Sequence, residues 1–281
     1  MRFRWLMIFP FVWGALFLLL GALITDPGAH AVFMRTEIEM AKALALLGAL
    51  AAAFAHQPGE HLRRAWMLVG LGYALFLFRD LRSIPFVAGA VPETLMEPLA
   101  AVLVVGGNIS IFFGIYLLAR TWKMAGLTLP GSRGDRMIVT TVVTLLAVLL
   151  VGPGILRSGG LFFAGEWTAA AGFISSIGDL AVLILLAPLL MTMWALRKGM
   201  FVWPWKMLCA GAVGWMFYDA ILSTGAALGL SAAGVVTFSE LARGVACAFY
   251  FSAGMAQRSI ATGGWQVRAD TPQPEPLSAA P

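Results

Sequence analysis

The chain has 281 residues, of which 60% are apolar and only 12% are charged. A soluble domain carries about 25% charged residues because its surface must stay hydrated, so this composition excludes an ordinary soluble globular protein. The net charge of +5 comes from basic residues that stand singly or in pairs at the ends of apolar runs. That distribution is typical of membrane topology signals, and it predicts no nucleic-acid partner.

Eight apolar runs follow one another along the chain, each long enough to cross about 30 Å of hydrocarbon as a helix. The predicted spans are Trp5–Ile24, Ile38–His56, Leu62–Phe78, Pro98–Ala119, Met137–Leu156, Gly172–Leu196, Trp203–Ser223 and Val235–Met255. Runs of this length favour helices, since backbone groups in lipid must be satisfied within the segment. The predicted fold class is therefore all-α: a polytopic transmembrane helical bundle of about eight spans in one domain, residues 1–258, with the lipid bilayer as its surroundings.

The basic residues predict an orientation with both termini in the cytoplasm and a location in the inner (plasma) membrane. With the N-terminus inside, thirteen of them fall in cytoplasmic segments: Arg2, Arg4, Arg63, Arg64, Arg120, Lys123, Arg133, Arg136, Arg197, Lys198, Lys206, Arg258 and Arg268. Four fall outside: Arg35, Arg79, Arg82 and Arg157.

The two ends of the chain have their own features. The first run, preceded by Arg2 and Arg4, could alternatively be a cleavable secretory signal, which would leave seven spans. Its apolar part of about 20 residues exceeds the 7–15 of a typical signal and favours an uncleaved span. Residues 259–281 are rich in Pro, Ala and polar residues, and they predict a disordered cytoplasmic tail.

Equal spacings suggest an internal duplication. Trp66 precedes Asp80 by 14 residues, and Trp205 precedes Asp219 by the same 14, with a glycine six residues after each tryptophan. We interpret this as a tandem repeat of two four-span units in the same orientation, residues 1–123 and 136–258. The alternative is chance similarity between Leu- and Ala-rich helices.

Charged residues within the spans recur at similar depth, near the predicted extracytoplasmic side. Such residues cost several kcal/mol unless they are paired or hydrated, so they are candidates for a ligand or ion site. The candidates are Glu39, Lys42, Arg79, Asp80, Glu97, Asp179, Asp219, Glu240 and Arg243. Glu39–Lys42 and Glu240–Arg243 are i,i+3 pairs on single helix faces. The alternative is that these residues only fix the packing between helices.

Motifs for catalysis and for cofactors are missing from the sequence. We find no nucleophile with an adjacent base, no His-x-x-x-His pattern, no paired histidines within the spans and no phosphate-binding glycine loop. We therefore predict no catalytic residues, no metal site and no cofactor. Cys209 and Cys247 lie within apolar runs, which predicts two buried thiols rather than a disulfide.

Residues 175–258 resemble the multi-span sensor regions that precede diguanylate cyclase or histidine kinase domains in bacteria. The matching segments are Ser176-Ile177-Gly178-Asp179-Leu180, Trp203-Pro204-Trp205, Tyr218-Asp219 and Ser239-Glu240. The printed chain ends 23 residues after Arg258 without such an output domain. The resemblance therefore implies signalling through a partner, either another membrane protein or a signalling protein.

Three functions follow as hypotheses. The first is a non-enzymatic membrane sensor or accessory subunit that uses the polar layer at the extracytoplasmic side. The second is a small transporter or channel with a site between the two repeats, since duplicated halves often enclose a site. The third, an enzyme, is disfavoured by the missing motifs. Transport would require a polar path to the cytoplasm, and the sequence offers none beyond Asn108.

Overall fold

The computed structural model describes residues 2–81, 93–124, 126, 128, 130–166, 169–197 and 199–263. Throughout these ranges the regular secondary structure is helical, which confirms the all-α fold class. The helices are α1 Arg2–Leu23, α2 Pro27–Phe54, α3 His61–Leu81, α4 Glu93–Ala119, α5 Thr121–Met124, α6 Arg133–Phe163, α7 Ala170–Ile184, α8 Leu186–Ala195, α9 Val202–Thr224 and α10 Ala232–Ala261.

Six helical segments are long and apolar enough to cross a membrane, so the chain is a multi-pass membrane protein. They are Phe3–Leu23, Pro98–Met124, Arg133–Phe163, Ala170–Ala195, Val202–Thr224 and Ala232–Ala261. Six of the eight predicted spans are confirmed in this sense. The total of eight, the inside–outside orientation and the duplication stay predictions.

The other two predicted spans lie in α2 and α3, whose charged residues make them less apolar. Glu37, Glu39 and Lys42 lie in α2, and Arg63 and Arg64 open α3. Both helices are nevertheless packed among their neighbours, α2 between α3 and α10, and α3 between α2 and α4. A helix shielded by other helices can carry charges at a lower cost than one that faces lipid.

Several helices begin before the apolar runs do because capping residues start them. The Asp26 side chain accepts a hydrogen bond from the backbone N–H of Ala29 at 2.6 Å, with Pro27 at the first helical position, so α2 begins 11 residues before the predicted Ile38. Ser132 and Asp135 form a capping box that starts α6. The helix α10 continues to Ala261, three residues beyond the predicted boundary of the tail, and residues 264–281 of that tail lie outside the described ranges.

The sixth predicted span is two helices, α7 and α8, that meet at Leu185. Pro188 has no N–H to donate to the carbonyl of Ile184, and its ring crowds that carbonyl, so the helix breaks there. The Thr192 hydroxyl donates to the carbonyl of Pro188 at 2.8 Å, and Thr192 is fully buried.

Seven helices form a closed ring. Each contacts the next in the order α2, α3, α4, α7, α6, α9, α10, and α10 returns to α2. The helix α1 packs outside the ring against α10, with a smaller contact to α2, and α8 packs against α9, α6 and α4. Within the ring, the two halves of the predicted repeat therefore contact each other at two seams, α2 against α10 and α4 against α7.

The seam between α2 and α10 is held by small residues. One face of α2 consists of alanines that are fully buried, among them Ala41, Ala45 and Ala52. A Cβ on Gly254 of α10 would overlap the backbone of Gly48 of α2, so the two helices cross in backbone contact. Close approach of this kind is the usual way in which helices associate within membranes.

Glycines also make equivalent contacts in the two halves. A Cβ on Gly72 of α3 would strike Ile111 of α4, and a Cβ on Gly211 of α9 would strike Tyr250 of α10. In both cases the residue that would be struck lies 39 residues later, and the carbonyl one turn before it is also within contact range. These equal offsets are consistent with the proposed duplication.

Candidate functional site

A cavity lies within the helix ring, lined by α2, α3, α4, α7, α9 and α10, with a volume of about 90 Å³. Its polar lining residues are Lys42, Arg79, Asn108, Ser175, Asp179, Tyr218, Asp219 and Arg243. Its apolar lining residues are Phe76, Val104, Ile111, Val182, Leu183, Ala212, Trp215, Met216 and Tyr250. We call this space the central cavity.

Lys42 occupies one side of the central cavity, and its side chain is only 3% exposed. Its Nζ lies 3.0 Å from a carboxylate oxygen of Glu39, one turn earlier on α2, and it also donates to Asp80 of α3. Arg79 contacts the other oxygen of Asp80 at 2.6 Å. Two cations and two carboxylates therefore compensate one another across the contact between α2 and α3.

Arg243 of α10 forms the second charged group of the lining. It pairs with Glu240, one turn earlier on the same helix. Its guanidinium carbon lies 5.2 Å from the ring centroid of Tyr218, a cation–π contact with α9. The positive charge of Arg243 is thus compensated by a carboxylate and held by an aromatic ring.

Asp179 of α7 and Asp219 of α9 both line the opposite side of the cavity. The Ser175 hydroxyl, one turn before Asp179 on α7, accepts a hydrogen bond from the Nδ2 of Asn108 at 3.2 Å. Oδ2 of Asp219 is fully buried and has no hydrogen-bond partner among the described residues. Within that part of the chain, no cation pairs with either aspartate.

Aromatic side chains close the end of the cavity that faces the apolar core. The indole N–H of Trp215 donates to the hydroxyl of Tyr73 at 3.4 Å, and the Tyr73 ring lies 5.6 Å from that of Tyr250 in a T-shaped contact. Beyond them the core is apolar, with Trp66 and Leu208 buried.

The structure brings most of the predicted site residues together. Five line the central cavity directly: Lys42, Arg79, Asp179, Asp219 and Arg243. Glu39, Asp80 and Glu240 lie behind them, each paired with a lining cation. The side chain of Glu97 lies outside the described residues.

One buried acid was not singled out by the sequence. Glu37 of α2 is only 8% exposed; it accepts a hydrogen bond from the Trp13 indole of α1, and its second oxygen has no partner among the described residues. It faces Gly244, where a Cβ would crowd its carboxylate. Glu37 lies four and eight residues before the buried Ala41 and Ala45. This helical spacing could have indicated from the sequence that Glu37 lies on the buried face of α2.

The described residues of the site offer little support for metal binding or for a reactive thiol. No group of three or more His, Cys, Asp or Glu side chains in the described ranges is arranged to hold a metal ion. Cys209 and Cys247 are unpaired and buried, as the sequence predicts. The absence of catalytic residues and of a cofactor stays a prediction.

Comparison of the chain with protein-family models, with curated proteins and with solved structures finds no match. The evidence for function therefore comes from the central cavity itself.

Proposed function

We propose that this protein is a non-enzymatic, sensor-like or accessory membrane protein that binds a small ligand in the central cavity. The observation that carries the proposal is the convergence of five charged side chains from five helices on one empty space. Enclosed cavities with a few polar groups and aromatic walls are the usual form of small-molecule sites.

A purely structural role for these charges accounts for them less well. Ion pairs that only fix helix packing are expected to be fully paired and to leave no space between them. Here the pairs made by Lys42 fit that description, but Asp219 keeps a buried oxygen, and Arg243 a buried Nε, without a partner among the described residues beside a cavity. A buried polar atom without a partner costs roughly 1–3 kcal/mol, which a bound ligand could recover.

The cavity lies in the half of the bundle that holds the C-terminal ends of α3 and α9. In the predicted orientation, with eight spans and both termini in the cytoplasm of a bacterial cell, this is the extracytoplasmic half. A ligand would then enter from outside the cell. The resemblance of residues 175–258 to bacterial sensor regions supports the same direction, with a partner protein supplying the output.

Transport is the second candidate, favoured by the position of the cavity between the two predicted repeats. It requires a polar route to the other side of the membrane. The core between the cavity and the predicted cytoplasmic end is mainly apolar, with Trp66, Leu118, Leu189 and Leu208, and its polar side chains Thr192 and Ser252 are buried without forming a continuous route. Binding without transport therefore accounts better for the conformation described here.

Two tryptophan substitutions on α7 test the binding proposal. Val182 lines the cavity, whereas Ile177 on the same helix is 44% exposed on the lipid-facing surface. Val182→Trp fills the cavity, and Ile177→Trp is the matched control. The purified proteins are screened by thermal unfolding against small polar and amphipathic metabolites.

A compound that binds the cavity is expected to stabilise the wild type and Ile177→Trp by about 2.7 kcal/mol at 100 times its Kd. It is expected to leave Val182→Trp unchanged. Stabilisation of all three proteins by every active compound, or of none by any compound, would contradict the proposal. Energy-dependent uptake of an active compound into vesicles would instead favour transport.

A further inference from the structure

The charges around the central cavity do not balance evenly between its two sides. Each cation in the lining has a carboxylate partner: Lys42 contacts Glu39 and Asp80, Arg79 contacts Asp80, and Arg243 contacts Glu240. Counted together, these cations and carboxylates sum to no net charge. They leave no net positive charge to attract an anion, although the buried Nε of Arg243 has no hydrogen-bond partner among the described residues.

Among the described residues, the opposite side of the cavity holds two carboxyl groups and no cation. Ser175 and Asn108 line the cavity beside Asp179, and Oδ2 of Asp219 has no hydrogen-bond partner among the described residues. Arg157 lies along a separate groove that also touches Asp219, but it forms no ion pair with it in the described structure. Any charge carried by this pair of acids is therefore uncompensated.

The central cavity also has aromatic walls. Trp215 and Phe76 line the same space, and Trp215 packs edge-on against Tyr218 at 5.5 Å between ring centroids. Aromatic faces attract organic cations through the ring quadrupole, most strongly where water is excluded. A bare metal ion would need further oxygen ligands, and the described residues offer no third acid at this position.

From the charge balance and the aromatic walls we infer that the central cavity takes an organic cation, an amine or a quaternary ammonium compound, with its charge between Asp179 and Asp219. The apolar part of the ligand lies against Trp215 and Phe76. The inference rests on the proposed function, because it names the ligand class of the same cavity.

Charged thiol reagents of similar size test the inference. Ser175→Cys and Val182→Cys each place one thiol in the cavity lining, whereas the native Cys209 and Cys247 are buried outside it, so the wild type measures the background. Each purified variant is treated with the trimethylammonium-ethyl and the sulfonato-ethyl methanethiosulfonates. Both reagents form a mixed disulfide with the thiol, and each rate is divided by the rate with a simple thiol in solution.

The cationic reagent is expected to react roughly 10-fold or more faster than the anionic one, since a charged cleft raises the local concentration of counter-ions by this order. In the Asp179→Asn/Asp219→Asn background the ratio is expected to fall to about one. Equal rates, or a faster anionic reagent, in both cysteine variants would overturn the inference while leaving an accessible cavity. Failure of both reagents to react with either variant would overturn the proposed binding site itself.

Discussion

In the proposed repeat, Asp80 and Asp219 occupy corresponding positions, each 14 residues after a tryptophan, yet their surroundings are opposite. Asp80 contacts Lys42 and Arg79, whereas Asp219 lines the same cavity as Asp179 and has a buried oxygen without a partner among the described residues. The same position on the same type of helix thus serves as part of an ion-pair network in one half and as an uncompensated acid in the other. A repeated scaffold can hold its charges in one copy and leave those of the other copy available for binding.

The largest expected effect on the free energy of unfolding is at the ion pairs that Lys42 makes with Glu39 and Asp80. Lys42→Met leaves Glu39 and Asp80 without their shared cation, and breaking a buried pair costs about 3–5 kcal/mol. The free energy of unfolding is measured with denaturant on the purified protein in detergent micelles. The matched control is Lys206→Met, where only a cation–π contact 4.8 Å from the Trp203 ring centroid is lost, and a change within about 1 kcal/mol is expected.

A similar small loss in both lysine variants would show that the Lys42 network contributes little to stability. The contrast between the halves would then lie in geometry alone.

A smaller effect tests whether the two halves are packed alike. Gly72→Ala and Gly211→Ala each place a Cβ against the adjacent helix, and both are expected to lose about 1–3 kcal/mol of unfolding free energy. Gly160→Ala in α6 is the control, because nothing lies within 4 Å of its Cβ position and alanine favours a helix by up to about 1 kcal/mol. Destabilisation in only one half would remove this support for a duplication.

The smallest effect on stability is expected at the uncompensated acids. Asp219→Asn keeps the shape of the side chain, and no cation among the described residues loses a partner, so the unfolding free energy is expected to change by no more than about 1 kcal/mol. Asp80→Asn is the matched variant in the other half, and it is expected to lose more because Lys42 and Arg79 lose a partner. An equal loss at both positions would mean that Asp219 is also a packing residue.

The double variant Asp179→Asn/Asp219→Asn separates binding from folding. We expect its amount in the membrane fraction to match that of the wild type, while thermal stabilisation by any cavity ligand disappears. Loss of the protein from the membrane would favour the packing interpretation of both acids.

Long apolar runs predict helices well, since lipid leaves the backbone few alternatives. Helix boundaries are predicted less accurately where capping residues decide them. The apolar run predicts a second span from Ile38, yet Asp26 and Pro27 start α2 well before it. The candidate acids could be located by depth along each helix. Whether an acid faces a cation, a cavity or a neighbouring helix depends on how the helices rotate against one another, and that distinguishes Asp219 from Asp80. For the same reason, the sequence alone does not predict that Glu37 accepts a hydrogen bond from Trp13 of α1.

The break at Leu185 has a mechanical consequence. The helix α7 carries Asp179, and it is joined to α8 through a position where Pro188 has removed a backbone hydrogen bond. With 15 residues, α7 is about 22 Å long, so a tilt of roughly 10° about Leu185 would displace its far end by about 4 Å. Because that bond is missing, tilting α7 relative to α8 costs less than bending an uninterrupted helix would.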